Sequence, residues 1–169
     1  MGNPVWNRIH FVRSFSLENI GNSKKPLVST SDLSGEWEGW IETSYDGDYE
    51  IPEEALHTDN DPDSDYTRMI GNLHITQRWR KINIHFVTYT SASDSVGATI
   101  LASDGRWPTL SYQYENQPDS DTPKTMSLHH GTTNLELKKD ENEDDILEGF
   151  YYTGNGRRNH GKMHFKRVD

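Results

Sequence analysis

The stretch "RKINIHFVTYT", residues 80–90, decides how the rest of the chain is read. Ile82, Ile84, Phe86 and Thr88 fall on one face, and Lys81, Asn83 and His85 on the other. A period of two is that of a half-buried β-strand, whereas a helix would place its apolar residues three and four apart. Working outward, "GEWEGWIETSY" (35–45) puts Trp37, Gly39, Ile41, Thr43 and Tyr45 on one face and mostly Glu on the other. "MIGNLHITQ" (69–77), "SVGATILA" (95–102), "TLSYQYEN" (109–116), "MSLHHGTTNLELK" (126–138), "ILEGFYYTG" (146–154) and "HGKMHFKRV" (160–168) alternate in the same way. Gly131 inside the sixth segment suggests a bulge. Helical spacing is almost absent. Eight short strands in succession, each with one apolar and one polar face, predict an all-β fold. The expected form is a small antiparallel eight-stranded up-and-down barrel, lipocalin-like in plan, whose interior holds side chains or one small ligand.

The domain reading follows from where the alternation starts. Residues 1–32 carry no clean period and end in "GNSKKPLVSTSD" (21–32), a linker composition. They are expected to be a loosely packed leader, and residues 33–169 the barrel. The acidic stretch "DGDYEIPEEALHTDNDPDSDY" (46–66) reads as an outward loop, and 117–124 and 139–145 as exposed turns.

With 17 basic against 27 acidic residues the formal charge is −10, which repels a polymeric nucleic acid but leaves room for a local basic pocket. The absence of cysteine removes disulfides and thiolate chemistry. No run of about 18 apolar residues is present to span a bilayer as a helix, and Met1 to Leu17 lacks the apolar core of a signal peptide.

Catalytic and metal motifs are weak. Asp59, Asp61 and Asp63 open like an EF-hand loop, but Ser64 and Ile70 stand where glycine and glutamate are needed. His160 and His164 would lie about 13 Å apart on a strand, too far to share a metal. There is no G-x-S-x-G elbow, and no spacing singles out a carboxylate pair for acid–base work. Gly154 and Gly156 begin a dinucleotide fingerprint that fails at Asn159. The turn still offers backbone amides and the guanidinium groups of Arg157 and Arg158, both suited to phosphate. The most informative residues are polar ones on or near the apolar parity: Thr43, Gln77, Thr88, Tyr112, Tyr114, Asn116 and Thr153. Buried hydroxyls and amides are costly unless partnered, so several together suggest a partly polar cavity.

Five blocks carry a family resemblance in order: "LSGEWEGWIETSYD" (33–46), "ITQRWRKINIHFVTYTSASDS" (75–95), "LSYQYENQP" (110–118), "LHHGTTNLEL" (128–137) and "LEGFYYTGNGRRNHGKMHFKR" (147–167). Over about 130 residues the chain resembles the β-strand-rich domain of the SMODS-associated two-transmembrane effectors of bacterial anti-phage (CBASS) signalling. The resemblance implies a cytoplasmic barrel that senses a cyclic dinucleotide made by a CD-NTase-like nucleotidyltransferase. It further implies self-association on binding, inner-membrane disruption through two N-terminal helices, and no enzymatic activity or cofactor. Those two helices are missing from this sequence, which leaves a soluble sensor or a nucleotide-sequestering protein as a variant of the reading. A lipocalin-like carrier of an apolar molecule, and an enzyme acting on the bound nucleotide, are the alternatives from other classes. From parity and chemistry, Tyr112, Tyr114 and Tyr152 are expected to stack on bases. Arg157 and Arg158 would neutralise phosphates, and Gln77, Thr88, Asn116 and His130 would read base edges or ribose. No metal ligand is expected.

Overall fold

The computed structural model describes residues 31–44, 51–79, 81–102, 106–118, 128–154 and 159–168. The expected eight strands are present: β1 (Gly35–Thr43), β2 (Thr67–Arg78), β3 (Lys81–Thr88), β4 (Ser91–Leu101), β5 (Thr109–Pro118), β6 (His129–Lys139), β7 (Asp145–Thr153) and β8 (His160–Val168). Each pairs antiparallel with the next, and β8 returns to β1 with Glu36 opposite Val168 and Ile41 opposite Met163. The sheet therefore closes into an up-and-down barrel, with β3 and β4 joined by a short ladder that runs from His85 opposite Asp94 to Val87 opposite Ala92.

Two local readings need correction. Gly131 is not a bulge: Tyr114, Gly131 and Thr153 stand opposite one another in continuous register. A side chain there would place its Cβ 2.3 Å from the Tyr114 ring, so glycine makes room for that ring. The irregularity lies in β4 between Ser95 and Gly97. It lets β4 begin at Ser91, earlier than its apolar pattern suggests, because the bulge switches parity midway.

Because neighbouring strands run in opposite directions, the barrel has two distinct ends. At the base, where β1 begins, Leu33 closes the interior. Its N–H donates to Gln77 Oε1 (3.1 Å), and its carbonyl accepts from Trp37 Nε1 (3.0 Å). The Arg167 guanidinium lies 4.7 Å over the Trp37 ring, a cation–π contact that covers the stopper. Above it, Trp37, Leu73, Leu135, Leu147 and Phe165 have no accessible surface, so none of them borders a space the size of a water. Phe86 meets Phe165 edge to face at 5.7 Å. Burial at about 1.5–3 kcal/mol per large side chain makes this half of the interior the anchor of the fold.

At the opposite end, the crown, the lining changes character. Thr43, Thr90, Ser93 and Thr133 are buried there together with Tyr112, Tyr114 and Tyr151. The interior thus grades from apolar at the base to hydroxyl-rich at the crown.

Candidate functional site

The crown is held together by Asn159, the residue that ends the glycine-rich turn. Its Oδ1 accepts from Thr43 Oγ1 (3.1 Å), Ser44 N (3.1 Å) and Tyr151 OH (3.2 Å), and its Nδ2 donates to Thr43 Oγ1 (2.8 Å). Its backbone N–H donates to Thr153 Oγ1 (3.0 Å), and its carbonyl accepts from the same hydroxyl (2.9 Å). The β7–β8 hairpin is therefore pinned to the end of β1. Thr153 carries the near side of the pin because its inward parity, shared with Leu147 and Tyr151, brings its hydroxyl across to β8.

Inside the crown, Tyr112 and Tyr114 tilt against each other at 6.2 Å, and His129 meets the Tyr114 ring edge-on at 6.4 Å. Burial pushes the Tyr112 hydroxyl up to about 12. The Thr133 hydroxyl beside it pulls slightly the other way, yet Thr133 Oγ1 is buried with no partner of acceptable hydrogen-bond geometry among the described residues.

On the flank of the crown a groove of about 350 Å³ opens to solvent. Val96, Gln113, His130, Thr132 and Tyr152 line it from the outward face, and Tyr114, Gly131, Thr153 and Gly154 complete it. Tyr152 is 52% exposed and stacks on His160 at 6.5 Å and 11°. His130 Nε2 lies 3.9 Å from Glu115. Gly154 N–H donates to His130 O (2.8 Å), tying the start of the turn to the groove wall.

The structure brings some of the expected site residues together and separates others. Tyr114, His130 and Tyr152 meet in the groove. Tyr112 lies deeper in the interior and is buried. Thr88 and Asn116 are half-buried at the crown; Thr88 Oγ1 donates to Ser91 O in its own turn (3.3 Å), and Asn116 stands between Ser93 and His129 in register. Gln77 sits at the other end of the barrel, where its side chain holds Leu33. It joins the base, since β2 ends where β1 begins. Tyr152 faces outward, opposite in parity to the inward Tyr151 and Thr153. Arg157 and Arg158 lie outside the described residues. Sequence reasoning missed Tyr151 and Asn159. Tyr151 shares the parity of Leu147 and could have been found; Asn159 stood out only as the residue that breaks the dinucleotide fingerprint.

Among the described residues no three His, Asp or Glu side chains converge to hold a metal, and no helix is long and apolar enough to cross a membrane.

An up-and-down barrel closed at one end by its own side chains, with a solvent-open groove at the other, falls in the class of small antiparallel barrels that can take a small ligand. Within that class the match is specific. The family model described as "Cap15, cyclic dinucleotide receptor domain" covers residues 28–167, and the chain belongs to that family. It is also 36% identical over 99 residues to CD-NTase-associated protein 15 of Yersinia aleksiciae, a match covering 59% of this chain and 46% of the relative. The matched part is thus about half the relative's length. The resemblance read from the sequence is borne out for the receptor barrel.

Proposed function

We propose that this chain is the sensor of an antiviral signalling system and that its crown groove binds a cyclic dinucleotide. The observation that carries this reading is the position of the groove. It combines the exposed ring of Tyr152, the polar side chains of His130 and Thr132, and Gly154, which precedes Arg157 and Arg158 in the sequence by three and four residues. Its volume of about 350 Å³ lies within the range of small-molecule sites. Tyr152 offers its ring to a base, an interaction worth about 1–3 kcal/mol per stacked base. His130 and Thr132 present polar atoms to a base edge or a ribose. Arg157 and Arg158 supply the planar, permanently charged forks that suit phosphodiesters. Tyr112, Thr88 and Asn116 shape the crown behind the groove; Gln77 keeps the base closed and takes no part.

The wider reading follows the family. A CD-NTase-like nucleotidyltransferase makes the ligand, and the barrel returns it intact as a receptor does, with no cofactor. Binding promotes self-association. Residues 1–32 act as a leader between the cytoplasmic barrel and any membrane helices ahead of it, and in a protein that carries such helices the response is inner-membrane disruption. A lipocalin-like carrier role fits less well, because the apolar half of the interior is filled by its own side chains.

Titration calorimetry against a panel of cyclic di- and trinucleotides tests the proposal. At least one cyclic dinucleotide is expected to bind, and Arg157→Ala with Arg158→Ala to weaken it about tenfold or more. Silence across the panel would remove the reading.

A further inference from the structure

We propose that the base of the barrel, on its β2–β5 side, docks on the interfacial layer of an anionic phospholipid bilayer. Two hairpin turns next to each other around the barrel present tryptophan at this end. Trp79, in the β2–β3 turn, is 101% exposed and takes a left-handed backbone conformation (φ 54°) that a bulky residue rarely adopts. Trp107, just before β5, is 54% exposed, and Leu101 at the end of β4 is 55% exposed. A fully solvated indole on a strained turn is disfavoured twice over in water. Indoles are enriched where one end meets hydrocarbon and the other meets water.

The charge around them has the matching sign. Arg78, Lys81 and Arg106 flank the two tryptophans, all exposed, and none makes an ion pair with a described residue. The other described cations of this end are engaged: Lys138 with Glu136 and Glu148, Lys139 with Asp145, Lys166 with Asp140 and Asp144, and Arg167 with Asp145. The acidic β6–β7 turn thus neutralises its own side of the base. Positive charge without an ion-pair partner among the described residues is left beside the tryptophans, in a chain whose net charge is −10. Basic residues at a membrane surface are drawn to anionic headgroups. Residues 31–34 join β1 at this same end, through Leu33, so docking here would hold the crown groove away from the lipid.

The test uses the full chain with vesicles of phosphatidylcholine alone and of phosphatidylcholine mixed with phosphatidylglycerol, at low ionic strength. Wild type is expected to cosediment about tenfold more with the anionic vesicles, with its tryptophan emission shifted to shorter wavelength. Trp79→Ala with Trp107→Ala is expected to abolish the shift and the binding, and Lys81→Glu with Arg106→Glu to abolish the preference for anionic lipid. Near-ultraviolet circular dichroism checks that both variants keep their packing. Cyclic dinucleotide binding at the crown is read on the same samples and is expected to be unchanged, so failure of one proposal is separable from failure of the other. The docking proposal is overturned if wild type stays in the supernatant with both vesicle types, if it binds both equally, or if the tryptophan variant binds as wild type does.

Discussion

At the scale of single residues, Tyr112 shows what the hydroxyl-rich crown costs. Its phenol is buried, and burial raises its pKa from 10.0 to about 12. The sign follows from linkage: the folded state keeps the proton where the unfolded state has lost it. The contribution is intact below pH 10 and drains away as pH rises towards 12, by about 3 kcal/mol in all. Urea unfolding across pH 9–12 is expected to show this decline in wild type and a shallower one in Tyr112→Phe; parallel curves would place the ionisation elsewhere. Gly131 works at the same scale, because the Tyr114 ring occupies the space its side chain would need. The sequence pointed to Tyr112 and Tyr114 by parity. It did not separate the enclosed ring from the one that reaches the groove, because parity gives a face and not a depth.

At the scale of elements, the β7–β8 hairpin is the part that completes the candidate site at the crown. Asn159 joins it to β1 through Thr43 and Ser44, and to β7 through Tyr151 and Thr153. With net contributions of about 0.5–1.5 kcal/mol per hydrogen bond, Asn159→Ala is expected to cost about 2 kcal/mol in urea denaturation and to weaken ligand binding as the turn loosens. A loss within about 0.5 kcal/mol would mean that water replaces the amide, and that the hairpin is held by its ladder alone. All eight strands were legible as runs of period two, since a closed barrel keeps one face of each strand dry along most of its length. β4 was the least legible, because its bulge between Ser95 and Gly97 breaks the alternation that identifies a strand. The site was legible only in part. Gln77 and Thr88 both read as inward polar residues, yet they stand at opposite ends. Counting hairpins would have told them apart, since alternate turns of an up-and-down barrel lie at alternate ends. His130 and Tyr152 were chosen for their chemistry, and both face outward into the groove.

At the scale of the whole molecule, the gradient from base to crown divides the work. The base and middle supply stability through Leu33, Trp37, Leu73 and Phe165, which leave no room between them. The crown gives up some of that packing for hydroxyls and a groove. A barrel of this size can hold both because its sheet is closed and its two ends lie at opposite ends of the strands. Membership of the Cap15 receptor-domain family names the ligand class, and we propose the crown as the end of the barrel that takes that ligand. The most direct test is a two-dimensional NMR titration with the cyclic dinucleotide that calorimetry selects. The account predicts shifts concentrated at Tyr114, His130, Thr132, Tyr152 and Gly154, with the Trp37 indole and the Gln77 side-chain amide unmoved. Shifts centred on Trp37 and Gln77, with the crown silent, would contradict it.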